Sequence, residues 1–583
     1  MLSFLGSVYK LYKLYRFYSQ FIHLFDVENS LDITKDNYEE KLEPYKNLIY
    51  DGGFIYIKIA QWIVSKYRSY EEENIMLVCH YLEEIFENCP EHDFTFSKKL
   101  LDELFDNNIE TDLESSLSYN VNNYNNNINK FIKKDTIKFI ASGSIGQIYY
   151  AELINPIYII DTSNKIFQDV DKVLLAEYDT IHFNKKDIIK ELMSMITNYT
   201  INENDIRYED KNDYENDYKN NNICDNNANK DLENNNICDN NSNDNKTYFY
   251  DLIKEVKEVA IKVKHPDVYY NLEKELAMFR SVNQLKSIPI IRSYLDYQID
   301  FEDLINNIME QCNLNNEYIN GSKLRINMAG NHLVYIPKIL FHNEHCLITE
   351  FVTGKYLEEI DNYNKYKICL NFISIINKMC LIDNFVHGDL HCKNWKIRKY
   401  NDIDYQIILY DYGICFQSKD IELTKQIWKI FEDCSVKGLH DLLDKLIEGE
   451  INDEIRDYIK EYLNNYKYSN LNFSKLFNEL NQILKRYNCY ITSFALKISI
   501  VTSIIESTLK SQNILESEDI IYEEDTHDVK VREKKLDIIA FCKSKKQYPQ
   551  LQKYLDSTLK KIKKQSMFSS INLNGLDLDL PEL

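Results

Sequence analysis

The chain has 583 residues, 44% of them hydrophobic, so it is longer than one ordinary domain and can build a large core. Its formal net charge of −23 argues against a nucleic-acid-binding protein, because such proteins present a basic face. Its 13 cysteines are scattered without a Cys-x-x-Cys pair, which indicates neither a zinc site nor a disulfide framework.

Residues 1–29 differ in composition from the rest of the chain. They contain Lys10, Lys13 and Arg16 and no acid before Asp26, with Leu, Phe and Tyr between the bases. A basic amphipathic segment of this kind is typical of an organelle-targeting sequence or of contact with a membrane surface. The alternative is a helix that docks on the fold. The charges interrupt the apolar run too often for a membrane span.

The next segments alternate between ordered and low-complexity sequence. Periodic apolar residues predict a helical extension over 30–134. The composition changes over 154–251, where we predict a low-complexity insertion. Within it, 198–246 is dominated by Asn and Asp. Such a composition buries too little apolar surface to offset the entropy of ordering, so this stretch is predicted to be a disordered loop.

The remaining sequence has strands first and helices afterwards. Val259–Val263 and Leu347–Val352 are rich in β-branched or apolar residues, as strands are, and helical patterns dominate after Tyr363. The order predicts an α+β fold with the two lobes of a kinase. We assign 135–352 to the first lobe, 353–567 to the second and 568–583 to a tail.

One constellation of polar residues indicates phosphoryl transfer. His387-Gly-Asp-Leu-His-Cys-Lys-Asn394 is followed by a strand that ends at Asp411-Tyr-Gly. In kinases, an Asp such as Asp389 faces the acceptor hydroxyl, while an Asn and a second Asp, here Asn394 and Asp411, hold Mg²⁺. An isolated Asp-Tyr-Gly would be only a turn after a strand. For His387 we predict a structural role in packing or backbone bonding.

Two upstream features strengthen this prediction. Residues 141–146, Ala-Ser-Gly-Ser-Ile-Gly, resemble a glycine-rich loop in which small residues let backbone amides approach phosphates. The residues expected to contact the phosphates are Ala141, Ser142, Gly143, Ser144 and Gly146. Alone, such a hairpin is common. It precedes a Val-Ala-Ile-Lys strand, whose Lys262 is the candidate cation for the α- and β-phosphates. The alternative for Lys262 is an exposed strand residue.

Together these motifs resemble the UbiB-type atypical kinases, also called aarF-domain-containing kinases. The family's Ala- and Ser-rich loop continues Ser-Ile-Gly-Gln-Val, its strand continues Lys-Val-x-His-Pro, and its catalytic loop is His-(Ala/Gly)-Asp-x-His-x-x-Asn. The corresponding segments are Ala141–Ile148, Val259–Pro266, Thr349–Gly354 and His387–Asn394. The resemblance implies that Glu350 and Val352 contact the nucleotide. His391 is telling, because ordinary protein kinases usually carry Lys there.

The family also places a Lys-x-Gly-Gln motif on a helical extension that folds over the active site. Lys58 and Gln61 match it, with Ala60 in place of the glycine, so the docking of the extension is expected to shift. A partner pair on the αC-like helix, two residues apart, is matched by Gln298 and Asp300. Four residues later the family has the Glu that pairs with the strand lysine, and this register gives Leu304 instead.

The resemblance implies an ATP-binding, Mg²⁺-dependent atypical kinase or ATPase that supports coenzyme Q (ubiquinone) biosynthesis or isoprenoid-lipid handling. The expected ligands are ATP or ADP and Mg²⁺. The expected partners are an isoprenoid lipid or membrane surface and coenzyme Q biosynthetic proteins, with no nucleic acid. The expected location is the mitochondrion, on the matrix side of the inner membrane, or another endosymbiotic organelle. Leu304 leaves a second hypothesis, a catalytically impaired pseudokinase that acts as a scaffold.

A missing feature argues against a conventional protein kinase. No proline occurs between Pro337 and Pro549, so the Ala-Pro-Glu that ends a protein-kinase activation segment is absent. Only a short stretch separates Gly413 from the next predicted helix. Without an activation segment there is no platform for an extended peptide, so phosphorylation of other proteins is not expected.

Overall fold

The computed structural model describes residues 16–25, 33–67, 72–106, 130–195, 252–285, 301–432 and 442–465, and single residues of 476–501, with short gaps. The stretch predicted to be disordered, 198–246, and the predicted tail, 568–583, lie outside the described residues. Within these limits the chain has a helical extension, a lobe built on an antiparallel sheet and a mainly helical lobe. This arrangement agrees with the predicted α+β, two-lobed class.

The bounds of the elements are as follows. The helices of the described residues are α1 (Tyr38–Asp51), α2 (Phe54–Tyr67), α3 (Glu73–Leu82), α4 (Phe94–Asp106), α5 (Lys172–Tyr178), α6 (Pro266–Leu285), α7 (Phe301–Cys312), α8 (Leu314–Asn327), α9 (Asn362–Lys378), α10 (Ile421–Glu432), α11 (Leu443–Leu446) and α12 (Asp453–Asn465). The strands are β1 (Ile132–Ser142), β2 (Gly146–Ile160), β3 (Ile253–Lys264), β4 (Val334–Tyr335), β5 (Ile339–His342), β6 (Cys346–Glu350), β7 (Val386–His387), β8 (Trp395–Lys399), β9 (Tyr405–Leu409), β10 (Cys415–Phe416), β11 (Ile447–Glu448) and β12 (Tyr490–Ile491).

The extension is a helical layer with its own apolar core. Helix α2 is buried on several sides, because it packs against α1, α3 and residues of the N-terminal segment. Phe17 and Phe21 of that segment are fully buried, and the Phe17 ring packs at a tilt against Tyr56 of α2, with a centroid distance of 4.6 Å. For these residues the structure matches the alternative of a docked segment. Ala60 is also fully buried in this core.

A five-stranded antiparallel sheet forms the first lobe, in the order β1-β2-β3-β6-β5. Strand β3 lies at its centre and pairs with β2 on one side and β6 on the other. Lys262 is therefore flanked by Ile148 and by Leu347. A residue on a central strand is held in register from both sides, which fixes the direction in which its side chain leaves the sheet.

The prediction of a low-complexity insertion over 154–251 is wrong for its first part, which forms ordered structure. Strand β2 continues to Ile160, and its Ile157–Ile160 pair with Ile253–Val256 of β3. Helix α5 begins after Asp171, whose side chain accepts hydrogen bonds from the backbone of Val173 and Leu174. The apolar residues of this segment, up to Met195, form a separate buried cluster. The segment folds because it has apolar side chains to bury.

The second lobe consists of small sheets and helices that share one apolar core. The parallel pair β4–β9 and the antiparallel pair β9–β8 form a three-stranded sheet, and β7 pairs with β10. Their apolar residues share one core with α9, α10 and α12. Among the helices of the described residues, none combines the length and hydrophobicity that crossing a bilayer requires.

A buried ion cluster ties the segment that follows β2 to the first lobe. The Asp179 carboxylate lies 3.0 Å from Arg325 of α8 and 2.9 Å from Lys338, and all three side chains are largely buried. Burial by itself would raise the pKa of Asp179, but the charges of Arg325 and Lys338 outweigh it and lower the pKa. Arg325 also donates to the carbonyls of Ile336 and Ile160.

We predict that Asp179→Ala destabilises the fold by about 3–5 kcal/mol, because it leaves two buried cations without their carboxylate. Thermal or denaturant unfolding of the variant and wild type measures this difference. The matched control is Asp187→Ala, whose carboxylate is exposed and 4.0 Å from Lys190. We expect the control to unfold with the wild type. Equal unfolding of Asp179→Ala and the control would contradict the prediction.

Candidate active site

A cavity of about 460 Å³ lies between the two lobes and brings most of the predicted site residues together. Its walls come from the β1–β2 turn, β3, α8, the end of β6 and the loops after β7 and β9. The lining includes the predicted residues Lys58, Gln61, Ala141, Gly143, Ser144, Gly146, Lys262, Glu350, Val352, Asp389, Asn394 and Asp411. Residues separated by more than 300 positions in the sequence therefore share one site.

The β1–β2 turn forms the roof of this cavity. The amide of Gly143 donates to the carbonyl of Gly146 at 3.0 Å, which closes the turn. A Cβ at Gly146 would lie 2.5 Å from the carbonyl oxygen of Val263, so only glycine allows β2 and β3 to approach this closely. Ser142 is buried and does not line the cavity. Its hydroxyl contacts the carbonyl of Pro90 and Nε2 of His265, so its side chain does not face the cavity. The predicted contact of its backbone with the phosphates stays a prediction.

Three charged side chains from three elements meet at the centre of the cavity. The ammonium of Lys262 lies 2.7 Å from the carboxylate of Glu317 on α8 and 3.3 Å from that of Asp411. Burial would lower the pKa of Lys262, but the two carboxylates outweigh it and raise the pKa. For Asp411 the balance is mirrored: burial would raise its pKa, and Lys262 and Lys58 hold the pKa far below its usual range. Both groups are therefore charged at neutral pH.

The prediction that the lysine lacks its glutamate is wrong. It rested on a register that placed the partner four residues after Asp300, at Leu304. The pattern recurs 13 residues later, where Gln311, Asn313 and Glu317 have the same spacing. The structure selects this second register, since Glu317 contacts Lys262.

The second register also places the extension. Lys58 donates to the side-chain oxygen of Gln311 at 2.6 Å, so Gln311 takes the place predicted for Gln298. Asn313 is the N-cap of α8, where its side chain accepts from the amide of Asn315. Gln298 and Asp300 themselves lie outside the described residues. Sequence spacing alone does not distinguish the two registers.

Lys58 and Gln61 project from α2 into the cavity. Gln61 donates to the carbonyl of Ile85 at 3.0 Å and accepts from the hydroxyl of Ser144 at 3.3 Å, so it links the extension to the glycine-rich turn. Burial lowers the pKa of Lys58, while the charges of Asp411 and Asp389 act in the opposite direction. The extension thus occupies the side of the cavity nearest these carboxylates.

The loop after β7 presents Asp389 and Asn394. The amide nitrogen of Asn394 donates to the backbone carbonyl of Asp389 at 2.8 Å, which turns its side-chain oxygen away from that contact. The Asp389 carboxylate lies 3.4 Å from the same nitrogen and 3.7 Å from Nε2 of His391. It retains a side-chain exposure of 30%, so it remains accessible from the cavity.

His387 has the structural role predicted for it. Its side chain is fully buried; Nδ1 accepts from the amide of Asp389 at 3.2 Å, and Nε2 donates to the carbonyl of Tyr410 at 3.1 Å. Burial lowers its pKa, which keeps the imidazole neutral. The ring therefore joins the loop that carries Asp389 to the residue that precedes Asp411.

Asp411 has an unusual backbone conformation. Its φ of 50° lies in the left-handed region, which residues other than glycine seldom adopt and which often marks functional sites. Its carboxylate accepts from the amide of Gly413 at 3.2 Å and is 48% exposed towards the cavity.

Asn394 and Asp411 fit a hard divalent cation, because both offer oxygen donors at adjacent positions of the cavity wall. The amide of Tyr410 bonds to the carbonyl of Asn394 at 2.9 Å, which holds the two segments together. The described residues contain no group of three His, Cys, Asp or Glu side chains suited to a metal ion. Mg²⁺ would therefore need oxygens from a nucleotide and water to complete its coordination.

The predicted contact of Glu350 is restricted to its backbone. Its carboxylate is buried and already accepts from Lys254, from the hydroxyl of Tyr335 and from the amide of Lys338. Only main-chain atoms of Glu350 remain to face a ligand. The carbonyl of Val352 accepts from the Tyr410 hydroxyl at 2.7 Å, which joins the segment after β6 to the second lobe.

The cavity mouth contains residues that sequence reasoning missed. The ammonium groups of Lys393 and Lys396 lie 4.6 Å and 4.7 Å from the ring centroid of Tyr356, and all three residues line the cavity. Lys393 could have been found from the sequence, because it immediately precedes Asn394. No sequence pattern points to Tyr356, because its position at the cavity depends on how the segment after β6 crosses to the second lobe.

Comparison with known proteins supports this assignment of the fold. Residues 251–441 match the family model described as "ABC1 atypical kinase-like domain". Among curated proteins, the ABC1 family protein C21C3.03, mitochondrial, of Schizosaccharomyces pombe is 26% identical over 33% of this chain and 27% of its own length. The probable serine/threonine-protein kinase abkB of Dictyostelium discoideum is 23% identical over 27% of this chain and 25% of its own length. These alignments span only about a quarter of each relative.

Two solved structures align weakly with the chain. One is the Rv3197–erythromycin complex from Mycobacterium tuberculosis, with 15% identity and a TM-score of 0.29, covering 45% of this chain and 71% of that chain. The other is the Rio2 kinase–ADP/Mg²⁺–phosphoaspartate complex from Chaetomium thermophilum, with 11% identity and a TM-score of 0.17, covering 43% and 67%. Residues 251–441 are thus similar to an ABC1 atypical kinase-like domain, and the sheet and helical lobe described above agree with a kinase-like fold.

Proposed function

We propose that this chain binds ATP or ADP with Mg²⁺ in the cavity between its lobes and acts as an atypical kinase or ATPase. One observation carries the proposal: Lys262, Glu317 and Asp411 meet in the same cavity that Asp389 and Asn394 line. A cation for phosphates, two oxygen ligands for a metal and a carboxylate for the acceptor are the parts that phosphoryl transfer requires.

Each residue has a distinct role in this proposal. The backbone of the Ala141–Gly146 turn and the ammonium of Lys262 bind the phosphates, and Glu317 orients Lys262. The oxygens of Asn394 and Asp411 hold Mg²⁺, which neutralises phosphate charge when bound. The Asp389 carboxylate orients the hydroxyl of the acceptor, or a water molecule, and accepts its proton.

The purine is proposed to bind beside the segment after β6. Ala260 of β3 lines the cavity there, and its small side chain leaves room for a flat ring. Main-chain atoms of Glu350 and Val352 supply hydrogen bonds, since the Glu350 carboxylate is already engaged.

A small molecule or lipid is a better acceptor for this site than a protein. Only residues 414–420 separate Gly413 from α10, so no activation segment forms a platform for a peptide. Lys58 and Gln61 of the extension also occupy one wall of the cavity. Both features restrict the acceptor to molecules that fit into the cavity beside the extension.

The wider role that we propose follows the resemblance to UbiB-type kinases: support of coenzyme Q biosynthesis or isoprenoid-lipid handling, with a lipid or membrane surface and biosynthetic proteins as partners. We place the protein in mitochondria, at the matrix side of the inner membrane. The name of the S. pombe relative supports this location. Another endosymbiotic organelle is the alternative.

The pseudokinase hypothesis loses its main support. It rested on Leu304 as the residue in place of the lysine's partner, whereas Glu317 makes that ion pair. A scaffold role then has no specific observation in its favour.

We predict that Asp411→Asn lowers ATP turnover by about 100-fold or more and weakens the Mg²⁺ dependence of nucleotide binding, because it removes a charged metal ligand. Turnover assays and titrations with and without Mg²⁺ measure both effects. Glu358→Gln is the control: it removes the same charge from an exposed side chain that does not line the cavity. Unchanged turnover in Asp411→Asn would refute the proposed function.

A second prediction concerns Glu317→Gln. The neutral amide no longer balances Lys262, so we expect turnover to fall about 10- to 100-fold while nucleotide still binds. The matched control is Glu310→Gln, an exposed residue on the preceding helix, which is expected to behave as wild type. If both variants retain full turnover, Glu317 is not the partner that positions the lysine.

A further inference from the structure

A chain of hydrogen bonds begins at the glycine-rich turn and leaves the active site. Nε2 of His265 lies 2.8 Å from the carbonyl oxygen of Gly143, and its Nδ1 lies 2.8 Å from Nδ1 of His92. Nε2 of His92 is 2.6 Å from the Ser97 hydroxyl, which is 3.0 Å from that of Tyr149. Neither histidine lines the cavity, and the proposed mechanism uses neither of them.

When both rings are neutral, the donors and acceptors of these hydrogen bonds can be ordered in only one way. A carbonyl only accepts, so His265 must carry its hydrogen on Nε2, and its bare Nδ1 must accept from Nδ1–H of His92. His92 then accepts at Nε2 from the hydroxyl of Ser97, which accepts from the hydroxyl of Tyr149. The side-chain amide of Gln147 completes the series by donating to Tyr149 at 2.7 Å. Every link has one donor and one acceptor.

A proton on either ring disrupts the series. On His265 the added proton sits on Nδ1, so two N–H groups would face each other across the 2.8 Å gap to His92. On His92 the added proton sits on Nε2, where it would face the hydroxyl hydrogen of Ser97. Asp93 beside His92 and Asp267 beside His265 favour the charged forms. Burial outweighs them, and together with the neighbouring His265 it lowers the pKa of His92 to about 4. The pKa of His265 is also lowered, chiefly by burial.

The turn that these rings hold is tied to the extension at further points. The amide of Cys89 donates to the carbonyl of Ser142 at 2.8 Å, and the amide of His92 donates to the side chain of Gln147 at 2.9 Å. Because these contacts come from residues just before α4, movement of that segment and movement of the turn are coupled.

We propose that His92 and His265 are positioning residues for the nucleotide phosphates: as a neutral pair they hold the Gly143 carbonyl, and with it the amides of the turn, in the binding conformation, and protonation of the pair releases the turn. The inference rests on the proposed nucleotide binding for its consequence. The hydrogen-bond chain itself is a property of the ligand-free protein.

The tautomers of the two rings provide the first test. Imidazole nitrogen chemical shifts of the ligand-free full-length protein, recorded near pH 8, are expected to show His92 with its hydrogen on Nδ1 and His265 with its hydrogen on Nε2. The signals are assigned from the spectra of the variants described below, each of which has one histidine replaced. A His92 ring with its hydrogen on Nε2, or with hydrogens on both nitrogens, would contradict the proposed series of hydrogen bonds.

The second test measures the affinity for Mg²⁺–ADP from about pH 8 down to about pH 4. The range extends this low because the pKa of His92 is about 4 and the pKa of His265 is also lowered. We expect His265→Phe, which keeps an aromatic ring but removes the donor to Gly143, to bind about five- to tenfold more weakly at the upper pH. Wild-type affinity should then fall more steeply with decreasing pH than that of His265→Phe, whose residual slope belongs to the nucleotide phosphates.

Two further variants make the result specific. His92→Asn places an amide near the position of Nδ1 that can donate or accept, so it should keep wild-type affinity within about twofold at the upper pH and lose the steep slope. His345→Phe is the matched control, since His345 is a part-buried histidine of the same lobe with a lowered pKa and contacts Lys264 rather than the turn. Its profile should equal that of the wild type.

The outcomes separate this inference from the proposed function. Nucleotide binding by the wild type, with identical affinities and slopes in His265→Phe and His345→Phe, would refute the positioning role alone. Failure of the wild type to bind nucleotide would overturn the proposed function and with it the positioning role, while the tautomers still decide whether the hydrogen-bond chain exists.

Discussion

The ammonium of Lys262, held between two carboxylates, is the interaction on which the rest of the site depends. A buried charge is strongly destabilising unless it is paired, so β3, α8 and the segment after β9 must meet at this point. Their meeting sets the distance between the lobes and therefore the height of the cavity. Asp411 adopts a left-handed backbone conformation at the same place, which suggests that strain there is tolerated for the position of its carboxylate.

The extension completes this arrangement from the other side. Lys58 reaches Gln311 at the end of α7, and Gln61 reaches Ser144 in the glycine-rich turn. The residues before α4 bond to the same turn through Ser142 and Gln147. The glycine-rich turn is therefore anchored to the extension by three hydrogen bonds. The extension is accordingly part of the candidate site, and its own apolar core, which includes Phe21, gives it a fixed shape.

The candidate site was largely predictable because its motifs are local. Asp389 and Asn394 lie five residues apart on one loop, and Lys262 lies on a strand whose apolar pattern is clear, so short segments carried the information. Glu317 was missed for the opposite reason. Two stretches of similar spacing, 13 residues apart, both offered a helix with an amide near its start, and only the contact with Lys262 distinguishes them. The ordered part of the predicted insertion was missed because its apolar residues gain their partners from β3 and α8, which are distant in the sequence.

The sequence by itself determined the two-lobed α+β class and the residue types that phosphoryl transfer requires, since composition, strand patterns and short motifs depend on neighbouring residues. The tertiary structure decided which glutamate pairs with the lysine, that the Glu350 carboxylate is already engaged, and that two histidines from distant segments face each other beside the glycine-rich turn. These facts depend on distances between elements far apart along the chain. Such distances are set by packing and by the pairing of buried charges, and no local pattern records them.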